Sequence, residues 1–319
     1  MLHLSESEVR RLLPMQEAIR LVREGFERLA RGEAVNQPRR RLHLPSSSVL
    51  HYMAAWCGNY FGIKIYSTHP RQGAHFLFLL YRAEDGHPLA VLEANYLGQI
   101  RTGAASGYVT DLLAKPDAAS LGIIGSGFQA RSQLEAILAV RPVRVVRVWS
   151  LTAEKRERFA RECSELLQVR VQTTHSARQA VEGAEILVTA TNSREPVIED
   201  GWVRGTVHIN AMGSNQATRR ELPAELMERA ALIAVDSLEQ ARMESGDLLL
   251  ARSEAEWSTL PIVEVKDLTG RKAHPPREGV TIFKSHGLAV EDVAAAAFVY
   301  ERALGEGLGR ELPVLAGYS

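Results

Sequence analysis

The chain has 319 residues, 45% of them hydrophobic, and 38 basic side chains balance 38 acidic ones. A net charge of zero gives no reason to expect nucleic acid or an anionic membrane as a partner, and the apolar runs are shorter than the roughly 18 residues that span a bilayer. The length predicts two domains of a globular protein. No secretory signal is recognisable, and the two cysteines, Cys57 and Cys163, are far apart, so we expect free thiols in the cytoplasm.

The first part of the chain is predicted to form helices followed by antiparallel strands. Ser5 and Glu8 have the spacing of a capping box at a helix start. A longer helix is predicted from Pro14 to Gly32, with apolar residues at three-to-four spacing and a glycine at the C-terminal cap position. The strands that follow are predicted at residues 53–56, 61–66, 76–82 and 89–93. A second long helix is predicted over residues 96–113.

After Pro116 the pattern changes to short apolar strands that alternate with helices. The strands are predicted at residues 121–124, 143–149, 169–173, 186–190, 207–210, 232–235 and 280–283. Such alternation is typical of a doubly wound parallel sheet of the Rossmann type. A last helix over residues 290–304 is expected to return to the first domain. The predicted fold is therefore α/β, with a dinucleotide-binding domain at 116–288 and a discontinuous α+β domain at 1–115 with 289–319.

A glycine-rich loop follows the first strand of the parallel sheet, at Gly125-Ser126-Gly127-Phe128-Gln129-Ala130. In a dinucleotide site Gly125 would allow the tight turn, Gly127 would let the backbone approach the pyrophosphate, and Ala130 would permit close packing of helix and strand. The free N–H groups of the helix start would hold the phosphates, with Phe128 and Gln129 beside them. The alternative is a plain strand–turn–helix connection.

The end of the second parallel strand bears on which dinucleotide binds. An acidic residue there would bind the ribose 2′-hydroxyl of NAD. This chain has Ser150 and Thr152, followed by Lys155 and Arg156. No carboxylate would repel a 2′-phosphate, so NAD and NADP both remain open. The two basic residues are equally consistent with the solvated start of a helix.

Three basic residues in the first domain are candidates for substrate binding: Arg40, Lys64 and Arg101. A lysine inside an apolar strand is costly unless it is paired. Lys64 lies in such a strand, although strand alternation equally allows it to face solvent. We expect no metal site, because the histidines and acids of this region lack ligand spacing.

Several blocks in the right order resemble the ornithine cyclodeaminase/mu-crystallin family. They are Gln37-Pro38-Arg39-Arg40, Gly62-Ile63-Lys64, Arg101-Thr102-Gly103-Ala104, Gly122 to Ala130, Asn210-Ala211-Met212-Gly213-Ser214, Arg220-Glu221-Leu222 and Phe283-Lys284-Ser285-His286-Gly287. The resemblance implies a small amino or imino acid substrate and a homodimer formed through the first domain. Family members include cyclodeaminases, alanine dehydrogenases and reductases of ketimines.

The resemblance also implies roles for particular residues. Arg40 and Arg101 match arginines that hold the substrate carboxylate, and Lys64 matches a lysine that carries a proton. The positions that match cofactor contacts are Thr102, Thr191, Gly213, Lys284, Ser285 and Gly287. Asp292 opens the last helix, where its charge favours the helix dipole, although the resemblance places it near the cleft. Glu221 is interpreted as the start of a helix.

One position departs from the family pattern. Cyclodeaminases and the related alanine dehydrogenases have an aspartate in the block after Met-Gly, where this chain has Asn215. An amide forms hydrogen bonds but does not titrate, so it cannot act as a base. We therefore predict an NAD(P)-dependent reductase or dehydrogenase of small imino or amino acids. The alternatives are an ornithine cyclodeaminase with bound NAD and a non-catalytic NADP(H)-binding protein.

Overall fold

The computed structural model describes residues 1–276 and 278–313. The strands are β1 (Leu2–Leu4), β2 (Ala34–Asn36), β3 (Arg40–His43), β4 (Val49–Cys57), β5 (Tyr60–His69), β6 (Gly73–Arg82), β7 (Pro88–Glu93), β8 (Ser120–Ile124), β9 (Val145–Trp149), β10 (Val171–Thr173), β11 (Ile186–Thr189), β12 (Val207–Ala211), β13 (Leu232–Val235), β14 (Ile262–Glu264), β15 (Val280–Lys284) and β16 (Arg310–Glu311). The helices are α1 (Glu6–Leu12), α2 (Met15–Arg31), α3 (Asn95–Leu113), α4 (Phe128–Val140), α5 (Ala153–Leu167), α6 (Ala177–Val181), α7 (Ala224–Glu228), α8 (Leu238–Glu244), α9 (Gly246–Leu249), α10 (Val265–Thr269) and α11 (Ala289–Glu306).

The chain divides into two compact units. The first comprises Met1–Arg101 and the chain from Gly287 onward, and the second comprises Thr102–His286. The boundary predicted from the sequence lies after residue 115, just beyond α3, whereas the units divide inside that helix, between Arg101 and Thr102. The later half of α3 belongs to the second unit because its polar side chains bond there: the Asn210 amide donates to the Thr110 hydroxyl over 2.9 Å.

The first unit is built on a mixed sheet in the order β16-β1-β7-β6-β5-β4-β2, with β3 also paired to β4. All its pairings are antiparallel except that of β1 with β7. The helix α11 packs on one face of this sheet, against β4 and β5, and also against α2. The other face retains exposed apolar side chains, among them Tyr52 and Leu77.

Strand alternation explains which side chains of the first unit reach the core. Met53, Lys64, Phe78 and Leu92 stand opposite one another across four neighbouring strands, and all four are buried. Because successive side chains point to opposite faces, Tyr52, one residue before Met53, lies on the exposed face. Lys64 therefore occupies a core position of the sheet.

The second unit is a parallel sheet in the order β10-β9-β8-β11-β12-β15-β13-β14. Separate apolar clusters lie around it, one including Ile137 and Phe159 and the other including Leu226 and Trp257. From β8 the chain moves outward in one direction to β9 and β10, and then returns to place β11 on the other side of β8. Ligands of such sheets bind at this reversal, outside the carboxyl ends of the strands.

The structure confirms the predicted α/β class with its parallel sheet, and it contains an element at each predicted position. Two strands start later than predicted, at Val145 and Val171. Elements of two to five residues were missed, including β1, β3, β14 and α7, because so few residues do not reveal a hydrophobic period. Among the described helices, none combines the length and apolarity needed to cross a membrane.

Candidate functional site

Lys64 lies in the middle of β5 and is almost completely buried. Its Nζ is 2.9 Å from Oδ1 of Asp292, in the first turn of α11. The Nε of Arg101 is 3.1 Å from the same oxygen. A single carboxylate oxygen therefore bridges two cations. The sequence left open whether Lys64 faces solvent, and the structure places it in the core.

A second acid completes this group of charges. The Glu291 Oε2 is 2.7 Å from Nη1 of Arg101, and both Glu291 and Asp292 have no exposed surface. Buried charges are tolerated only when they are paired and hydrogen-bonded. From the sequence, Asp292 is explained mainly by the helix dipole, and Glu291 does not stand out. The signal available was two adjacent acids in a helix whose other residues are largely alanine and valine.

Two glycines make room for these cations. A Cβ added at Gly98, in α3, would lie 2.5 Å from Nζ of Lys64. A Cβ added at Gly287 would lie 2.1 Å from Nη1 of Arg101, and the backbone there has a φ of +80°, which side chains other than glycine rarely adopt. Gly287, which the resemblance assigned to a cofactor loop, thus lies against the Arg101 guanidinium.

The structure distinguishes Arg39 from Arg40, which the sequence selected. Arg40 is paired with Tyr52 in the β3–β4 register, on the exposed face of the sheet. Arg39 is buried, its Nη2 lies 3.7 Å from the sulfur of Met53, and its charge acts on Lys64. Arg39 and not Arg40 therefore belongs to the group with Lys64. The reason is parity: adjacent residues of an extended chain point to opposite faces.

Burial lowers the pKa of Lys64 from 10.5 to about 8. Desolvation is the largest cause, because it disfavours the charged ammonium. The nearby charges of Arg101 and Arg39 also lower the pKa, while the charge and hydrogen bond of Asp292 raise it. A lysine in this range holds or releases a proton near neutral pH, which an exposed lysine does not.

The two glycines of the loop in the second unit have different roles. Gly125 has a φ of +111°, and a Cβ there would lie 2.4 Å from the carbonyl oxygen of Ala190, just beyond β11. Gly125 is therefore required by the fold. Gly127 immediately precedes α4, and a Cβ there would meet nothing within 4 Å. The open space over this helix start fits a pyrophosphate, which free N–H groups and the helix dipole would hold.

The end of β9 lies beside this loop. The hydroxyls of Ser126 and Ser150 are 2.8 Å apart. Nη1 of Arg156 donates to the Ser150 carbonyl over 2.7 Å, and Thr152 precedes the first residue of α5. Arg156, in the first turn of α5, thus reaches back to the end of the strand. Phe128 and Gln129 begin α4 next to the same loop.

Thr191 and Gly213 are tied together by a buried carboxylate. Glu221 accepts hydrogen bonds from the Thr191 N–H and hydroxyl and from the Gly213 N–H, each at 2.7 Å. Burial raises the pKa of Glu221. Its interpretation as a helix start is wrong, since α7 begins at Ala224 and the carboxylate instead joins the segments that follow β11 and β12.

Two residues predicted to contact the cofactor, Lys284 and Ser285, form contacts inside the fold. Lys284 has no exposed surface, and its Nζ lies 2.9 Å from Oδ2 of Asp247 and donates to the Ser214 carbonyl over 2.7 Å. The Ser285 hydroxyl donates to Asp236 over 3.1 Å. Internal ion pairing and hydrogen bonding account for the burial of both side chains, and their contact with a cofactor stays a prediction.

Thr102 and Asn215, the remaining predicted residues, lie in the second unit. Thr102 is buried at the start of that unit, and its carbonyl accepts from the Gln133 amide over 3.3 Å. Asn215 is half-buried in the segment after β12. Within residues 1–276 and 278–313, no group of three or more His, Cys, Asp or Glu side chains is placed to hold a metal ion.

Comparison with known proteins identifies relatives along nearly the whole chain. A 260-residue match to a Delta(1)-pyrroline-2-carboxylate reductase of Bacillus cereus is 38% identical and covers 79% of this chain and 80% of that protein. The structure of Thermococcus litoralis Delta(1)-pyrroline-2-carboxylate reductase in complex with NADH and L-proline matches with a TM-score of 0.93 and 33% identity, over 98% of this chain and 100% of that one. An archaeal alanine dehydrogenase dimer with bound NAD matches with a TM-score of 0.92 and 32% identity, over 99% of each chain.

The family assignment follows from these matches together with the family model. The model that fits residues 1–307 is that of the ornithine cyclodeaminase/mu-crystallin family. It covers the buried Lys64 and Asp292 as well as the glycine loop. The resemblance inferred from the motifs is confirmed, and the chain belongs to the ornithine cyclodeaminase/mu-crystallin family.

Proposed function

We propose that this protein reduces a small imino acid to the amino acid with NADH or NADPH, and that Lys64 carries the proton. At the level of the reaction class, it is an NAD(P)-dependent oxidoreductase of imino or amino acids, like its pyrroline-2-carboxylate reductase and alanine dehydrogenase relatives. The observation that supports imine reduction with Lys64 as the proton carrier is the environment of this lysine. It is buried beside two arginines and has a pKa of about 8.

The charged residues around Lys64 support an anionic substrate. We call them the Lys64 group, and they are Lys64, Arg39, Arg101, Glu291 and Asp292. Lys64, Arg39 and Arg101 supply three positive charges, and Glu291 and Asp292 supply two negative ones. Two of these cations are guanidinium groups, with which a substrate carboxylate would pair. Arginine suits this role because its planar, permanently charged fork binds a carboxylate through two hydrogen bonds.

The position of Lys64 indicates where the proton of the reaction comes from. A dinucleotide held at the glycine loop, beside Gly125 and Gly127, would supply a hydride for the imine carbon. In our proposal Arg39 and Arg101 hold the carboxylate, and the ammonium of Lys64 gives one proton to the imine nitrogen. The product is then the amino acid carboxylate with an uncharged amine, and Lys64 is left uncharged. Burial of Lys64 favours this loss of charge, because desolvation destabilises the ammonium.

Asn215 favours reduction over cyclodeamination. In the second unit the segment after β12 offers an amide at the position where the family pattern has an aspartate. An amide cannot accept the proton that deamination of an amine requires removing. Imine reduction has no such requirement, since the proton moves toward the substrate.

The exposed face of the first-unit sheet supports a homodimer. Apolar side chains on this face stand opposite one another across β4, β5 and β6, as in the row Tyr52, Ile65 and Leu77. Tyr52 and Leu77 are more than two-fifths exposed. Contiguous apolar patches on a sheet face mark protein contacts, and we propose that a second copy of the chain covers this one. An alanine dehydrogenase relative is likewise described as a dimer.

We also propose that the protein is cytoplasmic. Cys57 and Cys163 are both free thiols, and Cys163 is buried. Thiols of this kind persist where the compartment is reducing.

The function is tested by steady-state reduction of pyrroline-2-carboxylate, piperideine-2-carboxylate and pyruvate with methylamine, each with NADH and with NADPH. We expect kcat/KM for reduction to fall as pH rises through about 8, because the ammonium of Lys64 is the proton donor. Amino acid oxidation should show the opposite trend. Lys64→Met should lower kcat about 10²- to 10⁴-fold, the usual contribution of general acid catalysis. Ammonia release from ornithine without net NADH, and no imine reduction, would contradict the proposal.

Arg39 and Arg40 provide a matched pair. Arg39→Met should raise KM for the imino acid and lower kcat/KM by about tenfold to hundredfold, since a hydrogen bond to a charged group contributes roughly 1.5–3 kcal/mol. Arg40→Met should change kcat/KM by no more than about twofold, as for an ordinary surface substitution. The oligomeric state of both variants is measured alongside. The reverse order of effects would restore the assignment made from the sequence.

Gly127→Ala tests the dinucleotide site without disturbing the fold. The added Cβ meets open space, so the melting temperature of the cofactor-free protein should be unchanged. The methyl group would occupy the approach of the pyrophosphate, and we expect the Kd for NADH or NADPH, measured by calorimetry, to rise at least about tenfold. Gly201→Ala, where a Cβ also meets open space, is the control. Equal affinities of both variants would place the pyrophosphate elsewhere.

Leu77→Glu tests the dimer. The charge would be buried at the centre of the apolar face, so sedimentation equilibrium should detect a shift from dimer to monomer. Leu166→Glu places the same charge at an exposed apolar residue of the second unit and should remain dimeric. A wild-type chain that sediments as a monomer would refute the interface.

A further inference from the structure

We propose that Asp292 is the positioning residue of the Lys64 group, and that its Oδ1 atom fixes the proton-carrying ammonium relative to the carboxylate-binding guanidinium of Arg101. The inference rests on the proposed function, because it assigns Asp292 to the geometry of that same reaction. Its direct support is a pair of contacts to one atom: Nζ of Lys64 at 2.9 Å and Nε of Arg101 at 3.1 Å.

A role confined to the helix dipole does not explain Asp292. An acid in the first turn of α11 gains from the dipole while its charge remains in water. Asp292 has no exposed surface, and its Oδ1 points to cations on β5 and α3. Burying a carboxylate costs far more free energy than the dipole returns, so its placement follows from the two cations.

The surroundings leave the Lys64 ammonium little freedom. Gly98 of α3 lies so close to Nζ that a Cβ there would be 2.5 Å away. On another side, the ring of Phe76 from β6 has its centre 5.6 Å from Nζ. Asp292 holds the ammonium from α11. The proton donor is therefore confined by three elements, and of these three contacts the one with Asp292 holds it by charge and hydrogen bonding.

Asp292 also opposes burial and the two neighbouring guanidinium groups in their effect on the pKa of Lys64. Burial, the Arg101 guanidinium of α3 and the Arg39 guanidinium before β3 all lower the pKa of Lys64. The charge of Asp292 and its hydrogen bond raise it. Removing the carboxylate should leave Lys64 deprotonated over most of the neutral range, with no acid to offer the imine. The second acid, Glu291, contacts the Arg101 guanidinium.

The test compares pH profiles of imine reduction for the wild type, Asp292→Asn, Asp292→Glu and Glu291→Gln. In Asp292→Asn the descending limb of kcat/KM should move to lower pH by about one unit or more, the size expected for loss of a nearby opposite charge, and kcat at pH 8 should fall at least about tenfold. Asp292→Glu restores the charge and should return the limb toward its wild-type position. Glu291→Gln should raise KM while leaving the limb in place.

Gly98→Ala tests the same geometry with Asp292 retained. The added methyl group would displace the ammonium from Oδ1, so the limb should shift in the same direction as in Asp292→Asn. This result is available even where Asp292→Asn yields no folded protein. Limbs that stay at the wild-type pH in both variants, whatever the loss of kcat, would overturn the inference. A wild type that reduces no imine would instead refute the proposed function, so the two failures are distinguishable.

Discussion

The contact between the Lys64 ammonium and the Asp292 carboxylate is the constraint on which the account of this molecule depends. A charged lysine at the centre of a sheet is unfavourable by several kcal/mol unless an opposite charge meets it. The chain supplies that charge from α11, more than two hundred residues later in the sequence. The return of the C-terminal segment to the first unit therefore completes a buried ion pair as well as a hydrophobic core. A discontinuous unit is the structural consequence.

Burial also gives Lys64 chemical properties that an exposed lysine lacks. Desolvation brings its pKa close to physiological pH, and Asp292 keeps it from falling further. Strongly perturbed groups of this kind cluster at functional sites because catalysis needs a proton that is neither held too firmly nor lost. In the second unit, Glu221 is a buried carboxylate used differently: it accepts hydrogen bonds from Thr191 and Gly213 and so fixes the segments that follow β11 and β12. Asp292 raises the pKa of Lys64, and Glu221 holds two backbone segments in place.

Much of this was predictable from local patterns. The strands of the second unit are short apolar runs, and the glycine loop follows the first of them, so both the parallel sheet and the position of Gly125 and Gly127 were evident in the sequence. Lys64 was recognised because a lysine interrupts an apolar strand. Two features could not be predicted from local patterns: which face of the sheet a side chain points to, and which distant residue it pairs with. Nothing local determines which of two adjacent arginines faces inward, since this depends on the register of β3 with β4. Nor does the sequence reveal that Lys284 is neutralised by Asp247, because that pairing exists only after folding.

The central claim is that Lys64 titrates near neutral pH inside the folded protein, and the most direct measurement is its own titration. Nitrogen-15 NMR of lysine side chains, with the Lys64 signal assigned by its absence in Lys64→Met, reports the protonation of Nζ without any substrate. We predict a midpoint near pH 8 in the wild type. A midpoint close to the ordinary value of 10.5 would show that the ammonium stays charged throughout the neutral range, and would contradict the account.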